Sequence, residues 1–339
     1  MEGIAAWENL RLAAARALRG KRPKADARAY VADLDANLRR LREQLLTDSV
    51  PVGQYHQFTI HDPKERLITA PCFAERVLHH AIINICEPVF ERWLVHDTYA
   101  CRRRKGRVAC LLQARTFASR FPFFLKLDIR RYFDSIDHAT LKGLLERRFK
   151  DQRLLTLFAQ VIDGYAVTLG KGLPIGSLTS QHFANFYLGG CDRFVKEGRH
   201  APGYARYMDD IAVWGQSSTD LRDTLGAIRV FLADVLLLAV KPEPYTNQTA
   251  RGMDFLGCRV FPTHLVLNRR SRVRFRRKVT TLAAAVERGQ IPELDAQQRG
   301  QALVAFAQAA GVKSWRFRSR VVQHTPGTDQ GFVSGAPRW

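Results

Sequence analysis

The chain has 339 residues, with 53 Lys and Arg against 32 Asp and Glu, a formal net charge of +21. Its 46% hydrophobic and 25% charged residues exclude a disordered chain and allow two or three domains. The charge excess marks a polyanion partner, most often nucleic acid, and no membrane partner is expected: the most apolar stretch, 230–240, is too short to span a bilayer and carries Asp234.

In chain order, residues 1–50 read as a basic helical segment, with Leu34, Leu38, Leu41 and Leu45 on one face. Residues 54–70 read as two short strands around an Asp62–Pro63 turn. A long helix is predicted near 73–95, a strand over 123–128, two helices to about 163 and a glycine-bearing loop over 169–176. A helix is predicted over 177–197, a hairpin with strands near 203–207 and 211–215, and a helix over 218–237. The stretch 253–261 reads as one strand, 271–288 and 298–310 as helices, and the Gly-, Pro- and Ser-rich end as loose. Helices mix with antiparallel strands without a βαβ rhythm, which defines an α+β class with a sheet flanked by helices. The six cysteines (Cys72, Cys86, Cys101, Cys110, Cys191, Cys258) contain no C-x-x-C pair and read as reduced residues of a cytoplasmic protein. No signal-peptide order opens the chain.

"ARYMDDIAVW" (205–214) sets Asp209 and Asp210 between apolar runs. Paired acids also suit an ordinary hairpin turn. A third acid, Asp128, closes the apolar strand "FFLKLD". Three adjacent carboxylates would repel and raise one another's pKa. Two divalent ions about 4 Å apart remove that conflict, and can activate a hydroxyl and stabilise a leaving pyrophosphate.

"YMDD" at 207–210 resembles the catalytic box of reverse transcriptases, and "LKLDIRRYFDSIDH" resembles their first aspartate motif, with Phe133 as its aromatic. The resemblance covers roughly residues 50–310. It implies a polymerase right hand: a helical basic N-terminal extension over 1–50, fingers over 51–122, a palm of antiparallel sheet and helices over 123–262, a helical thumb over 263–322 and a flexible tail over 323–339. It implies two Mg²⁺ ions, with Mn²⁺ as a substitute, at Asp128, Ile129, Asp209 and Asp210. Lys241 falls where the family carries a lysine proposed to protonate pyrophosphate, and reads equally as a surface lysine.

Further resemblances extend the site. "DPKERLITAP" resembles the fingers segment, placing Lys64 and Arg66 on the incoming triphosphate, although a solvated hairpin tip fits the same residues. "TYACRRRKG" resembles the next fingers motif, with Arg102 as the contact. Backbone amides at Arg131 and Tyr132 would meet the triphosphate, and Phe133 would gate against a 2′-OH. "FLGCRVF" resembles the primer grip, at Phe255, Leu256 and Gly257. "NRRSRVRFRRKV" (268–279) holds seven basic residues in twelve. Arg269, Arg270, Arg272, Arg274, Arg276, Arg277 and Lys278 there suit phosphate contacts along a nucleic-acid backbone, or else a solvated helix face.

The loop before the hairpin reads "IGSLTSQ", with Ile175 and Gln181 where most reverse transcriptases carry Gln and Pro. That pair resembles diversity-generating retroelement reverse transcriptases. Such enzymes copy a template-repeat RNA into cDNA with errors opposite adenine, so that a target gene is rewritten. Gly176 would permit close backbone approach to the nascent pair. Ile175 would remove a hydrogen bond that discriminates nucleotides, or would simply be core. The resemblance implies template RNA, cDNA, deoxynucleoside triphosphates and a small basic accessory variability protein as partners, in a bacterial or phage-infected cytoplasm. A group II intron-like or phage-defence reverse transcriptase is the alternative; a non-catalytic RNA-binding scaffold would require a relic site, whereas all three acids are present.

Overall fold

The computed structural model describes residues 1–19, 24–61 and 65–311. Lys64, the Asp62–Pro63 turn and the expected tail lie outside the described residues. The chain divides into two compact units: Met1–Cys110 with Phe123–Asn247, and Leu111–Pro122 with the residues from Gln248 onward.

The first unit begins with α1 (Glu2–Ala5), α2 (Trp7–Leu18), α3 (Ala25–Ala32) and α4 (Leu34–Leu46). Leu38, Leu41 and Leu45 are buried as their spacing predicts. Buried Ala13, Ala14 and Ala17 leave α2 a flat face. Asn9 on that helix donates to the Ile4 and Ala81 carbonyls, each at 3.0 Å. The antiparallel pair β1 (Tyr55–Ile60) and β2 (Arg66–Pro71) precedes α5 (Phe73–Trp93), so both strands and the helix stand where the sequence pattern put them.

After α6 (Arg107–Arg120) come β3 (Phe123–Asp128), α7 (Tyr132–Ser135), α8 (His138–Glu146) and α9 (Gln152–Asp163). The helix expected over 177–197 is broken into α10 (Leu178–Tyr187), α11 (Gly189–Arg193) and one π-helical turn, Phe194–Gly198. The break coincides with Gly189 and Gly190. A Cβ at Gly189 would stand 2.2 Å from Nε1 of Trp93, so that indole seats where only glycine fits. Then follow β4 (Gly203–Tyr207), β5 (Asp210–Gly215), α12 (Ser218–Leu236) and β6 (Tyr245–Gln248).

The central sheet has the order β4-β5-β3-β6, with β5 antiparallel to both β4 and β3. Side chains alternate across it. Leu125, Leu127, Ile211, Val213 and Tyr204 enter the main core with the helices. Lys126 and Asp128 alternate with them on β3, and Asp128 pairs in register with Asp210. The sheet thus carries an apolar face and, at one end, an acidic one.

The second unit holds β7 (Met253–Phe255), β8 (Cys258–Val260), β9 (Leu265–Leu267), α13 (Arg269–Glu287) and α14 (Glu293–Ala309). The single strand expected over 253–261 is instead a hairpin. Leu256 (φ 47°) and Gly257 (φ 79°) both take positive φ, as a tight two-residue turn that matches strand twist requires. Asn268 caps α13 by accepting from the Ser271 amide at 2.9 Å. No described helix is long and apolar enough to cross a membrane.

Candidate active site

The turn from β4 to β5 consists of Met208 and Asp209. Met208 has φ 58°, an uncommon region for a side chain of its size, so the surrounding structure must hold it there. The turn places Asp209 at the tip and Asp210 at the start of β5, beside Asp128 on β3. Burial, and then the charge of Asp128, push Asp209 up from 3.8 to about 7. Burial also raises Asp210, while Lys126 opposes the rise with its ammonium 3.1 Å from Oδ1.

Lys241 pairs with Oδ2 of Asp128, and its amide donates to the Asp128 carbonyl at 2.8 Å. Oδ1 of Asp128 is buried and has no hydrogen-bond partner. A cavity of about 270 Å³ beside these groups is lined by Lys126, Asp128, Lys241, Glu243 and Tyr245. Among the described residues no three His, Cys, Asp or Glu side chains converge as a ready metal-binding group. Lys126 and Lys241 instead stand on two of the three acids.

What holds the turn has no motif in the sequence. Arg206 and Asp192 form an ion pair whose side chains are both 0% exposed, with Nε and Nη2 each 2.6 Å from a carboxylate oxygen. Asp192 also accepts from Tyr204 (2.5 Å) and Thr98 (3.0 Å). Arg206 donates through Nη1 to the Met208 carbonyl (3.0 Å) and through Nη1 and Nη2 to Asn185. Burial pulls the guanidinium pKa down, and Asp192 more than reverses it, leaving Arg206 above its ordinary value. Every fork of this arginine is used, and one fork grips the strained turn.

The other expected site residues fall into three groups. Around the loop, the Thr69 amide donates to the Ile175 carbonyl at 2.8 Å, stitching the loop to β2. Ile175 is half-buried, and Ser177 bonds the buried His79 Nδ1 at 3.1 Å. Gly176 has φ 127°, and a Cβ there would lie 2.9 Å from Ile68 Cγ2 and 3.1 Å from the Thr69 carbonyl. Glycine is therefore required here by the close approach of β2. Gln181 accepts from the Cys101 thiol at 3.5 Å.

After β3, Ile129 is fully buried and apolar, so only its carbonyl could serve a cation. Arg131 (φ 45°) opens α7 and pairs with Asp134 at 3.3 Å. Tyr132 is buried with its hydroxyl on the Ala184 carbonyl. The Phe133 carbonyl accepts from the Leu173 amide (2.8 Å), which brings Phe133 beside the loop that carries Ile175.

Arg66 is exposed at the start of β2. Arg102 is turned inward: its side chain is 9% exposed, with Nε on Glu91 (2.9 and 3.1 Å) and Nη1 on the Val95 and Thr98 carbonyls (2.7 and 2.9 Å). These bonds fix the loop that carries Arg102. In the second unit, Phe255 is buried, and Leu256 and Gly257 form the hairpin turn. Of the α13 cations, Arg269, Arg270, Arg272, Arg276, Arg277 and Lys278 are exposed and Arg274 is half-buried.

The antiparallel sheet, flanked by helices, thus brings Asp128, Asp209 and Asp210 to one of its ends. Residues 60–260 match the family model described as "Reverse transcriptase (RNA-dependent DNA polymerase)", and the chain belongs to that family. It is 27% identical over 154 residues to the group II intron-encoded protein LtrA of Lactococcus lactis subsp. cremoris, covering 43% of this chain and 25% of LtrA. It is 26% identical over 199 residues to protein YkfC of Escherichia coli K12, covering 53% of this chain and 51% of YkfC. The chain thus spans a quarter to half the length of these relatives. Among solved structures, apo telomerase from Candida tropicalis superposes with a TM-score of 0.54 at 11% identity, over 76% of this chain and 58% of that one. That likeness shows the fold alone, an α+β fold of right-hand polymerase type.

Proposed function

We propose that the chain is an RNA-directed DNA polymerase of the diversity-generating type, copying a template-repeat RNA into cDNA with errors opposite adenine. The observation that carries the polymerase reading is the placement of Asp128, Asp209 and Asp210 at the same end of the sheet, with Oδ1 of Asp128 buried and unpartnered. Burial, and then the charge of Asp128, raise Asp209; bound cations would relieve the second and give the unpartnered Asp128 Oδ1 a partner, so the donor atoms fit the group. Asp128, Asp209, Asp210 and the Ile129 carbonyl would hold two Mg²⁺, or Mn²⁺. Such ions activate a primer hydroxyl and neutralise charge on a leaving pyrophosphate. Lys126 and Lys241 hold Asp210 and Asp128 in place through their ion pairs. The exposed cations of α13 would bind phosphates of template and product. Residues 51–122, 123–262 and 263–322 would act as fingers, palm and thumb.

The diversity-generating reading rests on Ile175 and Gln181. The relatives favour a second reading, a group II intron-like enzyme, since LtrA is itself intron-encoded. Primer extension on an adenine-containing RNA, followed by sequencing of the product, separates them. Errors concentrated opposite adenine support the first reading; uniform low error supports the second, and no product at all overturns both. Co-purification from cells carrying the whole element tests the small basic accessory protein. Recovery without RNA or an accessory chain at moderate salt removes that partner.

Two variants probe the nucleotide site. Ile175→Gln restores an amide beside the incoming nucleotide and is expected to lower misincorporation opposite adenine roughly 5- to 150-fold, the worth of one polar contact of about 1–3 kcal/mol. An A–T pair has the fewest hydrogen bonds, so it gains most from an added check. Equal adenine error in variant and wild type returns Ile175 to a packing role. Phe133→Ala is expected to raise ribonucleotide insertion relative to deoxynucleotide insertion by about tenfold or more, because the ring limits space at the sugar. Single-nucleotide insertion kinetics measure this, and unchanged sugar selection would remove Phe133 from the gate.

A further inference from the structure

Four arginines from three distant stretches of sequence meet around one indole. Arg92 and Trp93 lie at the end of α5, Arg147 and Arg148 follow α8, and Arg193 ends α11. They line an open cavity of about 530 Å³. The Arg148 guanidinium sits 3.9 Å from the Trp93 ring centre and that of Arg193 4.8 Å. Trp93 is itself fixed, its Nε1 donating to the Phe186 carbonyl at 3.2 Å and packing on Gly189.

Three of the four charges here are uncompensated among the described residues. Arg193 pairs with Glu197 at 2.7 Å, but among the described residues no carboxylate pairs with Arg92, Arg147 or Arg148. Nε of Arg193 is buried without an acceptor, an expensive state unless a ligand meets it. The cavity shares no residue with the one at the carboxylates. Neighbouring residues of α11 divide the work: Asp192 is fully buried on Arg206, whereas Arg193 lines the cavity.

We propose that this cavity binds a phosphodiester of the RNA outside the primer–template duplex. Guanidinium forks match phosphate oxygens in pairs, and a planar indole rigidly backs two of them. The volume suits one nucleotide unit, and its open form lets a strand enter and leave. A free phosphate or pyrophosphate has the same chemistry. A strand is favoured because the cavity is open and its unpaired arginines are spread around the indole, so that successive phosphates of one strand can each meet a different guanidinium. The proposal rests on the reading that RNA is the copied polymer.

The test uses the full chain with Arg147→Gln and Arg148→Gln together, and, as a charge control, Arg39→Gln with Arg40→Gln on α4. Affinity for a long folded RNA and for a short primer–template duplex is measured against salt, alongside extension of the short duplex. The cavity variant is expected to bind the long RNA about tenfold more weakly, with a salt slope shallower by about 1 to 2. Its binding and extension of the short duplex should stay at the wild-type level, and the control should change neither by as much. Unchanged long-RNA affinity and slope overturn the proposal. Heat stabilisation of wild type, but not of the variant, by pyrophosphate with RNA affinity unchanged assigns the site to a small anion and also overturns it. Failure of wild type to extend the short duplex strikes the polymerase reading instead, while the binding difference still decides the cavity.

Discussion

Asp209→Ala is expected to abolish primer extension, by on the order of a hundredfold or more, while leaving RNA affinity within about twofold. Asp209 stands at the tip of the β4–β5 turn against Asp128, and the cations proposed to bind phosphates lie on other elements. Asp128→Ala should behave alike. A steady-state extension assay with a parallel filter-binding measurement checks both, and retention of more than a few percent of extension by Asp209→Ala would falsify the assignment. A second readout needs no activity. Without divalent ions Asp209 keeps its proton in the folded chain to about pH 7, whereas in the unfolded chain it ionises near 3.8. The folded state therefore binds the extra proton between those values, and stability is lost as pH rises through that window. Asp209→Asn cannot ionise. In chelator it should melt above wild type at pH 7 and converge with it near pH 4 (about the unfolded carboxyl value). Parallel melting curves at every pH would show that burial and Asp128 do not strain Asp209.

The carboxylates were legible in the sequence because strand periodicity and a two-residue turn dictate where they stand. An apolar alternation that ends at Asp128, and another that begins at Asp210, leave little freedom once the two strands pair. Lys126 was within reach of the same reasoning, since it lies two residues before Asp128 on the same face. The inward turn of Arg102 was not legible because exposure cannot be read from a run of basic residues: "CRRRKG" gives no sign that one guanidinium folds back onto Glu91. Gly176 required knowledge of the strand that lies against it. The hairpin at 253–261 was hidden by a turn of Leu256 and Gly257 inside an apolar run, without the Asn-Gly or Asp-Gly pair that usually announces one. The arginine cavity and the Arg206–Asp192 pair have no local signature, because their partners meet only after helices and sheet have packed.

That buried pair should be the most costly structural site to break. Arg206→Ala leaves the Asp192 carboxylate at 0% exposure without its ion-pair partner, with Tyr204 and Thr98 as its remaining side-chain donors among the described residues, and frees the Asn185 and Met208 groups that the arginine now satisfies. Breaking a buried ion pair in this way costs about 3–5 kcal/mol, a large share of the roughly 5–15 kcal/mol that holds a domain folded. Asp192→Asn should cost a similar amount by leaving the guanidinium unpaired. Replacing both at once, Arg206→Met with Asp192→Leu, removes the stranded charge and should recover much of the lost stability in denaturant titrations. It should not recover extension. The Met208 carbonyl would still lack its 3.0 Å donor, so a turn held at φ 58° would relax and move Asp209 away from Asp128. A double variant that regains both stability and extension would show that the pair serves the core alone. Stability regained with extension still lost would show that Arg206 also sets the catalytic turn.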